Sequence, residues 1–348
     1  MMNNSPLVSV IMAVHNNDEY LSQAIESILN QTYTNFEFII IDDGSTDNTH
    51  NIIEKYKKKD PRIILLQNYN NEGLPFSLNR GLDKAKGKYV ARMDADDISV
   101  KNRLELQIDF LKKNKEIDFV GCDLEIIDNS GHPTGTIWRY KQIPEQISFE
   151  TFFLSPIPHG AMVAKTDIFK KESFRYNEKY LVAQDYELWS RLILTKTFSN
   201  IPIPLYKCRF SRKSINPLRQ QLTNEIRKKQ LTIRLDLKVI EREWKIHKYI
   251  FLFSPEEKFT DISPKEITLW LRKFISAVLE KNIAPADVVY EYLREKKYVE
   301  IAFRKIVKDS PTQLFKIYLE VININTRLLN TGEKSLLFVK LIKDAFKR

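Results

Sequence analysis

"FEFIIIDDGSTDNT", residues 36–49, is the stretch on which the fold turns. Phe36 to Ile41 is a nearly unbroken apolar, β-branched run, the pattern of a strand covered on both faces of a parallel sheet. Asp42 to Ser45 reads as a turn, and a helix is expected from Thr49 to about Lys58. Upstream, "LVSVIMAV" (7–14) precedes Leu21, Ala24, Ile25, Ile28 and Leu29 at helical spacing, with Asn16 to Asp18 offering a cap. Downstream come "RIILLQN" (62–68), a helix expected over 74–85 and a strand expected over 89–93. This alternation predicts an α/β layer with a mostly parallel sheet, whose ligands bind beyond the C-terminal ends of the strands.

Acidic residues sit at two of those ends. Asp42 and Asp43 close one strand, and "GKYVARMDADDIS" (87–99) places three carboxylates within four residues of another. In an extended segment Asp94 and Asp96 face the same way and Asp97 faces elsewhere. Two hard oxygen ligands with open positions suit Mg2+ or Mn2+, whose shell is completed by water and substrate phosphates. Acidic turns and helix caps produce the same Asp-x-Asp pattern. No Gly-x-Gly-x-x-Gly follows the first strand, and neither a Walker loop nor a calcium loop is present.

Bulk properties narrow the class. The chain has 348 residues, 43% of them hydrophobic, enough for two domains with a sizeable core. Residues 1–214 hold 28 basic and 28 acidic side chains, so the net charge of +10 lies wholly in residues 215–348, with 27 basic and 17 acidic. That imbalance suggests an anionic partner for the C-terminal part, while a solvated helical face explains it equally. Two cysteines, Cys122 and Cys208, fit neither a metal site nor a disulfide scaffold, which points to a reducing compartment. No run reaches the ~18 apolar residues of a membrane span, and the first residues do not read as a signal peptide. Beyond Ile215, Lys- and Glu-rich segments over 222–247, 264–280 and 285–307 predict helices. The last segment, "SLLFVKLIKDAFKR" (335–348), is a basic amphipathic helix suited either to a membrane interface or to packing on its own domain.

Four ordered blocks add a resemblance. "VSVIMAVHNN", "IDDGSTDNT", "NEGLPFSLNRGLDKAKGKYVARMDADD" and "AQDYELWSRL" resemble, in order and spacing, the inverting glycosyltransferases of family 2, which have the GT-A fold. The likeness covers about residues 5–214 and not the helical remainder, so the expected organisation is a GT-A catalytic domain over 1–214 and a helical, basic domain over 215–348. It implies that Ala13, Val14 and His15 meet the nucleotide base, with Ala13 and His15 standing where Pro and Tyr are more usual. Asp43 matches the carboxylate that accepts a hydrogen bond from the base, although "DDGS" would form an Asx-type turn in any protein. Asp94 and Asp96 match the family's Asp-x-Asp, Asp96 as the more direct ligand of Mn2+ or Mg2+ and Asp94 nearer the ribose or sugar.

Asp185 matches the family's general base, preceded by Gln184 where Glu is common; without the resemblance it would read as an early helix residue. His159 and Gly160 match a segment beside donor sugar and acceptor. In "YKCRFSRKSIN" (206–216), which resembles the family's Tyr-Arg loop, Ser211 stands where a diphosphate-binding His is frequent; Arg212 or Lys213 could supply the charge, and a solvated pair explains them equally. Taken together these imply a metal-dependent transferase moving a sugar from a nucleotide sugar, a UDP-hexose or UDP-N-acetylhexosamine, to a glycan hydroxyl. The family's usual company adds a lipid-linked acceptor and cell-surface polysaccharide synthesis; the cysteines and the lack of a span or signal point to the cytoplasm, and the basic tail would hold the protein near the anionic inner face of the membrane. Nucleic acid is not expected as a partner, and the helical tail suits self-association as well as it suits lipid. The competing readings are a catalytically silent scaffold of the same fold and a nucleotidyltransferase; the latter usually has a Gly-rich basic loop after the first strand, which "AVHNNDEY" lacks.

Overall fold

A computed structural model of the chain describes residues 7–210, 216–252 and 262–296, with Tyr298, Ala302 and Arg304. The basic C-terminal helix expected over 335–348 lies outside these residues, as do Ser211, Arg212 and Lys213.

The chain opens with strand β1 (Val8–Val14), helix α1 (Leu21–Leu29), β2 (Phe36–Asp43), α2 (Thr49–Lys57), β3 (Ile63–Asn68), α3 (Leu74–Lys84) and β4 (Tyr89–Arg92). Every residue of β1, β2 and β4 is buried, as their continuous apolar runs require of strands covered on both faces. Next come β5 (Ile98–Ser99), α4 (Arg103–Lys113), β6 (Phe119–Ile127), β7 (Pro133–Trp138), α5 (Pro144–Glu150), β8 (Val163–Lys165), α6 (Gln184–Leu192) and β9 (Phe198–Arg209). The sheet runs β3-β2-β1-β4-β8-β6-β9-β5, with β7 on β6. Its first four strands are parallel, and β8 joins β4 to β6 in antiparallel pairing. By paired residues the sheet is mostly parallel. From β1 the chain winds outward to β3 and then returns to β4 on the other flank of β1. This reversal opens a crevice at the C-terminal ends of β1 and β4.

Two local expectations are corrected. Asn16 to Asp18 do not cap α1, whose N-cap is Tyr20 without a side-chain bond. Asn16, at φ 48, instead turns the chain toward the loop after β2, where its Oδ1 accepts from Thr46 N at 2.8 Å and Asn17 N donates to Thr49 Oγ1 at 3.0 Å. The helix expected over 222–247 is two, α7 (Pro217–Leu235) and α8 (Glu241–Phe251). Asp236 takes a left-handed φ of 55, its N–H donating to Thr232 O at 3.1 Å, and Leu237 N returns to Leu231 O at 3.1 Å, which closes α7. Apolar residues keep their helical spacing across this break, so periodicity alone does not reveal it.

The chain forms two compact units, Met1–Ile147 with Leu154–Ile226, and Ser148–Phe153 with Arg227–Arg348. The division falls inside α7, and a short piece around Phe149, Phe152 and Phe153 belongs to the second unit. Those rings enter its core with residues of α8, α9 (Pro264–Glu280) and α10 (Ala286–Glu295), among them Trp244, Trp270, Phe274 and Tyr292.

His247 is enclosed there, accepting from Trp270 Nε1 at 3.3 Å, and its Nε2 has no partner among the described residues. Burial, assisted by Arg227, pushes its pKa down to about 3. A folded pKa below the unfolded value means that the unfolded chain binds the extra proton between these values, so stability is lost as pH falls through this window. Urea unfolding followed by tryptophan fluorescence should show the second unit losing about 1 kcal/mol per pH unit below about pH 6. His247→Phe should flatten that slope, and a wild-type profile already flat there would reject a neutral buried imidazole.

Candidate active site

At the ends of β1 and β2, His15 is the first exposed residue after the buried Ala13 and Val14. Its Nδ1 donates to the Asp43 carbonyl at 2.8 Å, which fixes the ring across the end of β2. The two aspartates that follow separate by function. Asp42 makes the turn, accepting from Ser45 N at 3.0 Å and meeting His50 Nδ1 at 2.9 Å. Asp43 does not make that turn: its Oδ1 accepts from Asn68 Nδ2 and from Glu72 N at 3.0 Å, and its Oδ2 from Gly73 N at 2.9 Å. The Asx-type turn open to "DDGS" thus belongs to Asp42, whereas the Asp43 carboxylate ties the loop between β3 and α3 to the sheet edge. Gly44, at φ +69, permits this approach, since a Cβ there would lie 2.5 Å from the Asn70 carbonyl carbon.

At the end of β4 the three carboxylates are sorted by burial. Residues 95–97 form a turn, so an extended i, i+2 alignment does not govern them. Asp94 is half-buried and its Oδ1 accepts from Arg92 NH2 at 2.6 Å. Asp94 N donates to the Tyr206 hydroxyl at 3.0 Å, while Arg92 is buried beneath. Asp96 is exposed at the crevice, and its carbonyl accepts from Arg209 Nε at 2.9 Å. Asp97 turns inward and accepts from Arg209 N at 2.7 Å. Burial first, then the neighbouring Asp94 and Asp96, raises the Asp97 carboxyl well above the usual range.

Behind this turn stands the short helical turn His159–Ala161. A Cβ on Gly160 would lie 2.3 Å from Asp94 Oδ2 and 2.4 Å from the Tyr206 hydroxyl, so Asp94 packs directly on the glycine. His159 Nε2 and the Tyr176 hydroxyl share a hydrogen bond of 2.7 Å, and Trp189 packs edge-on against the imidazole. Enclosure pushes His159 down to about 4, Arg92 adds to the fall, and Asp185 and Asp94 oppose it. The imidazole is therefore neutral at neutral pH, and the Tyr176 hydroxyl, raised mainly by burial, stays protonated.

Asp185 is the second residue of α6, where the first-turn N–H groups and the positive end of the helix dipole face a carboxylate. It is launched from Ala183 in a left-handed conformation, φ 59 and ψ 21. Ser155 Oγ donates to Asp185 Oδ2 at 3.2 Å, which leaves Oδ1 without a partner among the described residues. Gln184, at the first position of α6, is partly exposed.

The structure thus groups Asp94, His159, Gly160 and Asp185 around buried Arg92, and places His15 and Asp43 at the same strand ends. Sequence reading missed Arg92, Tyr176, Tyr206 and Ser155. Arg92 carried a signal, a lone charge inside a buried strand two residues before Asp94; the tyrosines and the serine come from distant segments and carried none. Among the described residues no three His, Cys, Asp or Glu side chains gather to hold a metal by themselves. With Asp97 turned inward, Asp94 and Asp96 are the carboxylates of the turn left toward the crevice, and the chemistry of such a hard-oxygen pair fits Mg2+ or Mn2+ if ligand oxygens complete the shell.

The model of glycosyl transferase family 2 matches residues 9–176. An uncharacterized glycosyltransferase of Haemophilus influenzae is 36% identical over 255 residues, which span 69% of this chain and 79% of the relative. Another, from Methanocaldococcus jannaschii, is 36% identical over 252 residues, 70% of this chain and 81% of its own length. Among solved structures, S. aureus TarS 1–349 in complex with UDP-GlcNAc is 21% identical with a TM-score of 0.56, covering 88% of this chain and 90% of that one. This last is a likeness of fold, and the fold is the one expected.

Gly160→Ala tests the packing of the acidic turn. The new methyl must displace Asp94 or Tyr206, and the expected loss is about 1–3 kcal/mol in urea unfolding. An unchanged midpoint would show that the turn of residues 159–161 moves freely away from Asp94.

Proposed function

The chain belongs to glycosyl transferase family 2, and on that premise we propose that it transfers a hexose or N-acetylhexosamine from a uridine diphosphate sugar to a glycan hydroxyl, with inversion at the anomeric carbon. The observation that carries this reading is the grouping of Asp94, Gly160, His159 and Asp185 about Arg92, at the strand ends where Asp43 and His15 also lie.

In this reading His15 and Asp43 receive the base. His15 offers an exposed ring already fixed by its bond to the Asp43 carbonyl, and the Asp43 carboxylate, with three donors bound, retains room for one more. Asp94 and Asp96 would hold a divalent cation, whose chemistry when bound is to neutralise charge growing on the departing diphosphate. Asp185 takes the proton of the acceptor hydroxyl on Oδ1, while Ser155 holds Oδ2. Attack comes from the face opposite the diphosphate, so the centre inverts and no covalent enzyme intermediate forms. Neutral His159, held by Tyr176, lends a hydrogen-bonding edge to the sugar or acceptor without adding charge.

The acceptor we favour is a lipid-linked glycan in cell-surface polysaccharide synthesis, with the basic residues of 215–348 drawing the protein to the anionic inner face of the membrane. No helix among the described residues is long and apolar enough to cross a membrane. Arg212, expected beside the diphosphate, lies outside those residues and keeps that role as a proposal.

Calorimetric titration with UDP, in Mn2+ or Mg2+ and then with chelator, should show binding that needs the metal and that Asp96→Ala abolishes. Asp185→Asn should keep the fold and UDP binding while turnover falls roughly 100-fold to 10,000-fold. Undiminished turnover in Asp185→Asn would remove the base from this scheme, and absence of UDP binding by the folded wild type would remove the donor.

A further inference from the structure

At the N-terminal end of β4, away from the crevice, the chain forms a cleft of about 450 Å3 that the transfer reaction does not use. Five lysines line it: Lys88 just before β4, Lys112 and Lys115 at the end of α4, Lys165 at the end of β8, and Lys196 just before β9. Lysines at the end of one helix complement its dipole. Lys88, Lys165 and Lys196 come from three other segments, so helix electrostatics does not account for the convergence.

The two aspartates in the lining are already committed. Asp118 lies 3.2 Å from Lys165 Nζ through Oδ1 and accepts from Thr197 N at 3.2 Å through Oδ2. Asp167 pairs with Lys170 at 2.5 Å, outside the lining. Lys165 is thereby satisfied, donating also to the Lys115 carbonyl at 2.7 Å. The other four ammonium groups are weakly compensated. Lys88 and Lys196 lie over the rings of Tyr89 and Phe174, each at 5.7 Å, and Lys112 is 3.6 Å from exposed Asp109. Lys115 has no carboxylate within ion-pair distance among the described residues. Buried Leu111, Ile168 and Tyr89 supply apolar lining between these charges.

Several point-charge donors converging on a concave surface with an apolar wall match a compact, multiply charged anion attached to a less polar body. We infer that the cleft is a second anion site, which takes the phosphate or diphosphate group of a ligand separate from the sugar donor. This inference stands apart from the transferase reading, since it draws on none of the crevice residues.

The test uses the full chain in chelator with two probes: inorganic pyrophosphate by calorimetry, and vesicles of phosphatidylcholine with or without phosphatidylglycerol by flotation. Wild type is compared with a Lys88→Gln, Lys196→Gln double variant, whose unchanged urea-unfolding midpoint shows that the fold is intact. Pyrophosphate binding at least about tenfold weaker in the variant supports the site with a soluble phosphate ligand. Vesicle binding that needs phosphatidylglycerol and falls in the variant, without pyrophosphate binding, supports it with a lipid headgroup as the phosphate source. Equal behaviour of the two proteins toward both probes, including vesicle binding through the basic C-terminal part alone, overturns it.

Discussion

The buried guanidinium of Arg92 is the constraint about which the candidate site is arranged. A charge removed from water must be paired, and breaking such a pair costs about 3–5 kcal/mol because the remaining ion stays buried. Arg92 is paired with Asp94, and its backbone is held on both sides, Arg92 N donating to Met162 O at 2.8 Å and Arg103 NH1 to Arg92 O at 3.1 Å. The ion pair therefore links the acidic turn to β4, to the turn carrying His159 and Gly160, and to α4. Arg103, equally buried, has no carboxylate partner among the described residues; it donates to Ser99 and to two carbonyls and lies 5.3 Å from the Tyr206 ring centroid, while its NH2 has no partner among them.

Around that pair, carboxylates adjacent in sequence take up opposite environments. Asp42 makes a turn and Asp43 ties down the neighbouring loop; Asp94 is clasped, Asp96 is exposed and Asp97 is buried with its carboxyl raised. Repulsion within the cluster is limited because only part of it carries charge toward the crevice. In the proposed reading a cation and a diphosphate meet two of these carboxylates, Asp94 and Asp96, rather than all three.

The parallel layer was legible because continuous apolar strands, helical spacing and acidic turns are local signals, and β1, β2, α3 and β4 lie within a residue or two of their expected bounds. The break between α7 and α8 was not, because its cause is the backbone at Asp236, while apolar spacing continues through it. The cap offered by Asn16 to Asp18 was likewise overridden, since those groups found partners in the loop after β2, about 30 residues away. Of the candidate site, the carboxylates were legible as residue types in the ordered blocks, and His159 only through a separate segment that resembles the family. The tyrosines that support them were not, because Tyr206 reaches Asp94 across 112 residues and Tyr176 reaches His159 only through the chain's path after β8.

The sequence by itself determined the alternating layer, the strand ends at which acidic side chains collect, and the basic excess of the C-terminal part. Each depends on periodicity or composition, which act over a few residues. Only the tertiary structure decided how the aspartates of each cluster divide between turn, loop and surface, that enclosure lowers the His159 pKa, that Arg92 anchors Asp94, and that four segments bring lysines together at the opposite end of the sheet. These depend on burial and on pairing between distant segments, and the free energy of a charge is set by its surroundings rather than by its neighbours in the chain.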